Sequence, residues 1–129
     1  DWRSYNEFMK ENNEEVKLIE SVLDQYINGG KSGRGEDMRC AFHEDATIFG
    51  YAGEDLFAGK IELLFSWNDE NGPAEELVYE IDHVDIEGTV ATARLEIYNW
   101  HGRRFTDLFT LLKLDGQWKI VSKVFHLHG

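Results

Sequence analysis

A carboxylate that holds one tautomer of a histidine makes a general base, and in this sequence the two side chains able to do so are Asp107 and His126. Their relation follows from a turn. Asp115-Gly116 is a two-residue hairpin signal between two alternating runs, residues 105–114 and 117–127. Turn length sets register. Leu114 therefore opposes Gln117, Leu111 opposes Ile120, Phe109 opposes Ser122, Asp107 opposes Val124 and Phe105 opposes His126. One face then carries Phe105, Asp107, Phe109, Leu111, Trp118, Ile120, Ser122, Val124 and His126. The other carries Leu108, Leu112, Val121 and Phe125, with Lys119 and Lys123. The first face is the more aromatic and is expected to meet the core. Asp107 and His126 are diagonal neighbours on it, about 7–8 Å apart along the backbone, so their side chains can meet. Two readings stand: an orienting acid with its general base, or a buried pair that only satisfies its own hydrogen bonds.

Other residues have less specific spacing. Tyr26 falls on an apolar helical stripe, where its hydroxyl must still find a partner. His43 could serve as a second donor, and Trp67, Asn99 and Trp100 could line a cavity mouth. His126-x-His128, completed by His43 or Asp107, would offer three metal ligands. His128 lies one residue from the end, where chains fray, so no metal is expected. Asp45 in His43-Glu44-Asp45 reads as a turn residue bonding local backbone. Glycine-rich phosphate loops and nucleophile elbows are absent, and no cofactor is implied.

The elements that must position these groups divide at Asp69–Pro73, the clearest loop. Before it, Ser4-x-x-Glu7 is a capping-box pattern, followed by apolar residues at helical spacing: Tyr5, Phe8, Met9, Val16, Ile19, Leu23, Tyr26 and Ile27. Gly29-Gly30 is expected to end this helix, and Asn12-Asn13 leaves open a break within it. Glu36–Phe42 reads as a second helix, Ala46–Tyr51 as a strand and Lys60–Asn68 as a third helix. After the loop come four strands, Leu77–Ile86, Thr89–Trp100, Phe105–Leu114 and Gln117–Leu127, with turns at Glu87-Gly88, within His101–Arg104 and at Asp115-Gly116. Neither half could bury a core alone, so residues 1–129 are expected to form one α+β domain.

Composition narrows the function classes. The 129 residues carry 13 basic and 25 acidic side chains, a net charge of −12, which opposes a nucleic-acid or anionic membrane partner. One cysteine, Cys40, excludes an internal disulfide. No apolar run approaches the ~20 residues of a membrane span, and no signal segment opens the chain, so a cytoplasmic location is expected.

The order of elements resembles the nuclear transport factor two-like superfamily, which includes ketosteroid isomerase, scytalone dehydratase and the SnoaL cyclases. The resemblance is closest to the SnoaL-like family described as "putative lumazine-binding". It is carried by Tyr26-Ile27-x-Gly29, Ala41-Phe42-His43-x-Asp45-Ala46, Asn99-Trp100, the run Phe105–Val121 with its Asp115-Gly116-x-Trp118, and Lys123-Val-Phe125-His126. It implies a cone, a curved sheet wrapped around helices with a pocket at the open end, and homodimers joined through the sheet's outer face. Leu108, Leu112, Val121 and Phe125 would supply that outer patch. Tyr26 resembles the isomerase's first-helix tyrosine, but the isomerase's catalytic aspartate falls on Gly50, which argues against that mechanism. Two functions follow as expectations. One is a pocket for a small apolar or aromatic molecule, with proton transfer by Asp107 and His126 and contacts from Tyr26, His43, Trp67, Asn99 and Trp100. The other is a non-catalytic dimerisation or protein-interaction module.

Overall fold

The computed structural model describes residues 2–129, with side chains for Glu7 and residues 9–129. The Ser4 capping box and the packing of Tyr5 and Phe8 lie outside the described side chains. The helix α1 runs unbroken through Trp2–Ser32, so Asn12-Asn13 does not divide it. It also passes Gly29-Gly30, the expected end, and stops at Gly33, whose φ of 73° suits glycine. The last turn holds two glycines because other elements press on it. A Cβ on Gly29 would sit 2.5 Å from the Cβ of Met38, and one on Gly30 would sit 3.0 Å from Trp100.

Helix α2, Gly35–Arg39, is shorter than expected, because Phe42 already belongs to strand β1, Phe42–Ala52. Strand β2, Asp55–Lys60, was not legible as a strand; its Leu-Phe-Ala-Gly run is too short and mixed to show alternation. Helix α3 is Glu62–Asn71, followed by β3, Val78–Glu87; β4, Val90–Trp100; β5, Arg103–Leu114; and β6, Gln117–Leu127. The turn after β3 is Gly88-Thr89, one residue later than expected. Asp115-Gly116 forms the expected hairpin, both residues at positive φ.

The six strands form one open sheet in the order β2-β1-β6-β5-β4-β3, mixed because β1 runs parallel to β6 while the other neighbours are antiparallel. Its inner face packs on the helices. Ile19, Leu23, Tyr26 and Ile27 of α1 are fully buried, as their spacing predicted, against Ala91, Ala93, Leu95 and Ile97 of β4 and Phe109 and Leu111 of β5. The result is the α+β cone expected from the element order. Asn68 and Asp69 tie α3 to the first two helices: Asn68 Nδ2 donates to the Gly29 carbonyl at 2.8 Å, and the Gly35 N–H donates to Asp69 Oδ1 at 2.7 Å. No described helix is long and apolar enough to cross a membrane.

Two bulges decide which side chains reach the interior. In β4 the register slips between Ile97 and Trp100, where Asn99 takes a φ of 60°. The slip leaves Asn99 exposed and turns Trp100 inward. In β6 the register slips between Leu111↔Ile120 and Thr110↔Ser122, with Val121 the extra residue.

Gly29→Ala tests the close approach of α1 and α2. Alanine ordinarily favours a helix interior over glycine by about 1 kcal/mol. Here the new methyl overlaps Met38, and overpacking should make the variant less stable by about 1–3 kcal/mol in urea unfolding. A stabilised variant would mean the contact gives way freely.

Candidate functional site

The bulge at Val121 overturns the expected inner face of β6. Trp118 and Ile120 point inward as predicted, but beyond the bulge the inward residues are Lys123, Phe125 and Leu127. Ser122, Val124 and His126 turn to the outer face. The cause is apolar payload: Phe125, packed against Gly50, Phe57 and Phe105, and Leu127 bury more carbon than Val124 and His126 would. The cost is that Lys123 is carried inside with them.

Asp107 therefore does not meet His126. The carboxylate is fully buried on the inner face, whereas His126 is exposed opposite Thr106, its ring 4.7 Å from that of His128. Asp107 instead accepts a hydrogen bond from the Tyr26 hydroxyl at Oδ2, 2.6 Å. Lys123 Nζ donates to the same hydroxyl oxygen at 2.7 Å and lies 3.7 Å from Oδ2. Three elements, α1, β5 and β6, thus each contribute one polar group to one buried cluster.

Burial dominates the protonation behaviour of this cluster. It pushes the Asp107 carboxyl above its ordinary range, with the nearby Lys123 ammonium opposing. It pulls the Lys123 amine below its ordinary range, with Asp107 opposing. The Tyr26 hydroxyl is raised by burial and then by the Asp107 charge. Two further buried polar atoms, Asp107 Oδ1 and Trp100 Nε1, have no hydrogen-bond partner.

A cavity of about 430 Å³ opens beside the cluster. Lys123, Trp67, Trp100, Phe105, Phe125 and Phe57 line it, with Ile48, Leu64 and Leu127 adding aliphatic wall and Asp55 and Arg103 placing charge on the lining. The Nζ of Lys123 lies over the Trp100 and Phe125 rings, 5.3 and 5.4 Å from their centroids. The Arg103 guanidinium lies 5.7 Å from the Trp67 ring.

Of the residues singled out from the sequence, Tyr26 and Asp107 lie behind Lys123 in the buried cluster, and Trp67 and Trp100 line the cavity. Asn99 does not; the β4 bulge turns it to an open groove with Pro73, Glu75, Glu76 and His101. His43 does not either. It stands at the start of β1, and its Nδ1 accepts the Asp45 N–H at 3.0 Å. The three-ligand sets considered for a metal are not assembled. Asp107 is inside and His126 outside, and β1 opposes Ile120 near His43 but His126 only at Tyr51. His43, Glu44 and Asp45 offer ligand atoms within 4.8 Å of one another, on a run whose carboxylates are solvent-exposed. Outside the cone, Glu96 takes Thr106 and Arg104 at 2.8 and 2.6 Å. Burial alone would raise the Glu96 carboxyl, but hydrogen bonds from Thr106, Arg104 and Arg94 outweigh it and hold it down at about 2.

Lys123 and Arg103 are the site residues that the sequence reading missed. The signal for Lys123 was present. Trp118 and Ile120 share one parity and Phe125 and Leu127 the other, so a strand burying both pairs must bulge between 120 and 125.

An open, curved sheet folded around an N-terminal helix with a cavity at its mouth defines the NTF2-like, or cystatin-like, class of proteins. Residues 14–126 match the family described as "Putative lumazine-binding", and the chain belongs to it. A solved NTF2-like protein of unknown function from Methylobacillus flagellatus is 53% identical, covers 90% of this chain and 94% of its own, and superposes with a TM-score of 0.87. A second, from Shewanella baltica, is 42% identical over 90% and 95% of the two chains, with a TM-score of 0.85. This chain is also similar to a protein named aldolase FrzH from Cladobotryum sp, at 29% identity over 102 residues, 78% of this chain and 82% of the relative. The position that resembles the isomerase's aspartate is filled differently. A Cβ on Gly50 would lie 2.6 Å from the Phe125 ring, so that ring occupies the space a side chain at 50 would need.

The cluster should behave as one unit. Asp107→Leu leaves a buried lysine without its counter-charge and should cost about 3–5 kcal/mol in urea unfolding. Adding Lys123→Met removes the orphaned charge, so the double variant should regain more than half of that loss. Additive losses would mean that the two groups do not interact.

Proposed function

We propose that this protein binds a small, largely apolar molecule in the cavity and acts on it by proton transfer, using its own side chains. One observation carries the reading: the aromatic cavity is lined at one wall by a buried lysine that is hydrogen-bonded to a tyrosine–aspartate pair. Its volume of about 430 Å³ lies in the ~300–1,000 Å³ range of ligand sites. Apolar walls with a few convergent polar groups are the usual composition of such sites. In a water-poor setting, a carboxyl raised by burial and an amine lowered by it are suited to exchange protons with a ligand. Lys123, the member of the cluster on the cavity lining, would give and take the proton, with Tyr26 and Asp107 behind it as the relay. His126, turned outward, has no part in this reading. The lumazine-binding description of the family and the aldolase name of one relative support a small-molecule ligand.

The probe for this reading is 2-naphthol, an aromatic body with one hydroxyl. It should quench the fluorescence of Trp67 and Trp100 saturably. Ala52→Trp, which fills the lining at the end of β1, should weaken its binding about tenfold or more while the fold is retained. Absence of saturable quenching would remove the pocket reading in favour of a non-catalytic dimerisation module.

The outer face of the sheet carries a second part of the proposal, a homodimer. Phe49, Val124 and Leu108 oppose one another across β1, β6 and β5, each 46–48% exposed. Val124 takes the place expected of Phe125, which the bulge buries. Tyr51 and Leu56 extend the row, and such a patch favours cover by a second copy. Sedimentation should give twice the mass of one chain, and Val124→Glu should give the mass of one. A wild-type protein that sediments as a monomer at micromolar concentration would remove the dimer.

A further inference from the structure

Lys123 is the only lysine among the described residues with a buried side chain, and it is held in an unusual way. A direct hydrogen bond from a lysine ammonium to a carboxylate is about 2.8 Å long. Here the Tyr26 hydroxyl stands between them: Nζ reaches that oxygen at 2.7 Å and the nearest Asp107 oxygen only at 3.7 Å. The phenol in turn donates to Asp107 at 2.6 Å. Nζ therefore has a proton relay to a carboxylate without being locked against it. Its remaining surroundings are the faces of Trp100 and Phe125, which are walls of the cavity.

We propose that Lys123 is a carbonyl-capturing nucleophile, whose Nζ forms a Schiff base with an aldehyde or ketone bound in the cavity. This rests on the reading above that the cavity binds a small apolar molecule, and it names the class of that molecule. The relay supplies the neutral amine. One proton passes from Nζ to the Tyr26 oxygen as the Tyr26 proton passes to Asp107 Oδ2, leaving an amine and a carboxylic acid, the forms that burial favours for both groups. The Nζ lone pair then attacks the carbonyl carbon. A C–N bond forms, the C=O π pair moves to oxygen, and one nitrogen proton transfers to that oxygen to give a carbinolamine. The Asp107 proton returns through Tyr26 to the hydroxyl, which leaves as water while the nitrogen lone pair forms C=N. The products are a protonated imine, an Asp107 carboxylate beside it, and one water released through the cavity mouth. Desolvation of a lysine in an apolar pocket is an established way to make its amine nucleophilic.

The test traps the imine. The full chain is incubated with 2-naphthaldehyde and cyanoborohydride, digested, and mapped by mass spectrometry. The adduct is expected on Lys123, formed about tenfold or more faster than on any exposed lysine, because Lys123 lines the cavity that holds the aldehyde. Excess 2-naphthol should suppress it. Lys123→Arg, which keeps the charge and a reach to Tyr26 but cannot form an imine, should show none. Where that variant does not fold, protection of the wild-type Lys123 peptide by 2-naphthol decides the matter. Adducts confined to exposed lysines such as Lys60 and Lys31, or a Lys123 adduct indifferent to 2-naphthol, would overturn the proposal. Saturable 2-naphthol binding with no Lys123 adduct ends the Schiff base and leaves the pocket reading intact; loss of 2-naphthol binding ends both.

Discussion

The interior of this protein is organised by the need to satisfy one buried lysine Nζ. A buried polar group without partners is costly, and Lys123 is inside because Tyr26 and Asp107 are there to receive it. The three come from α1, β5 and β6, elements distant in sequence. Their meeting requires that the first helix cross the sheet at Tyr26 and that β5 and β6 pair in the observed register. The ring of Tyr26 is itself held edge-on by Phe42 and Phe109, at 5.8 and 5.4 Å, so packing and hydrogen bonding determine the same geometry.

The two sides of the sheet show what burial does to similar chemistry. On the outer face Glu96 collects Arg104, Arg94 and Thr106 and is held as a carboxylate far below the usual range. On the inner face Asp107 faces a single lysine through a phenol, and desolvation pushes it the other way. The inner arrangement lies next to a cavity. A network of fully satisfied charges positions strands; a group with an unpartnered oxygen, as Asp107 Oδ1 is, keeps capacity for another donor.

The fold is shared far more widely than this cluster can be assumed to be. Solved structures at 13–20% identity still superpose with TM-scores of 0.65–0.71, which concerns the cone alone. Within the cone, function depends on which inward positions carry polar groups. The crowding of Phe125 against Gly50 shows one such exchange: an aromatic ring stands where a side chain from β1 would otherwise project. The charged groups on the cavity lining, Asp55, Arg103 and Lys123, come from β2, β5 and β6.

The sequence by itself determined the class of fold, the long first helix with its buried stripe, and the final hairpin and its turn. These are local or periodic features: helical spacing from Ile19 to Ile27, alternation in the strands, and the positive-φ preference at Asp115-Gly116. It also marked Tyr26, Asp107, Trp67 and Trp100 as residues to watch, because a polar or aromatic group on an apolar face stands out. Tertiary structure alone decided their partners. Val121 adds one residue to β6, and a single extra residue inverts every side chain beyond it, so His126 leaves the interior and Lys123 enters. The same holds at Asn99 in β4, where the slip brings in Trp100. A bulge is favoured by the total burial it permits against elements elsewhere in the chain, here β1, β2 and β5 around Phe125. Hairpin spacing carries no term for that burial.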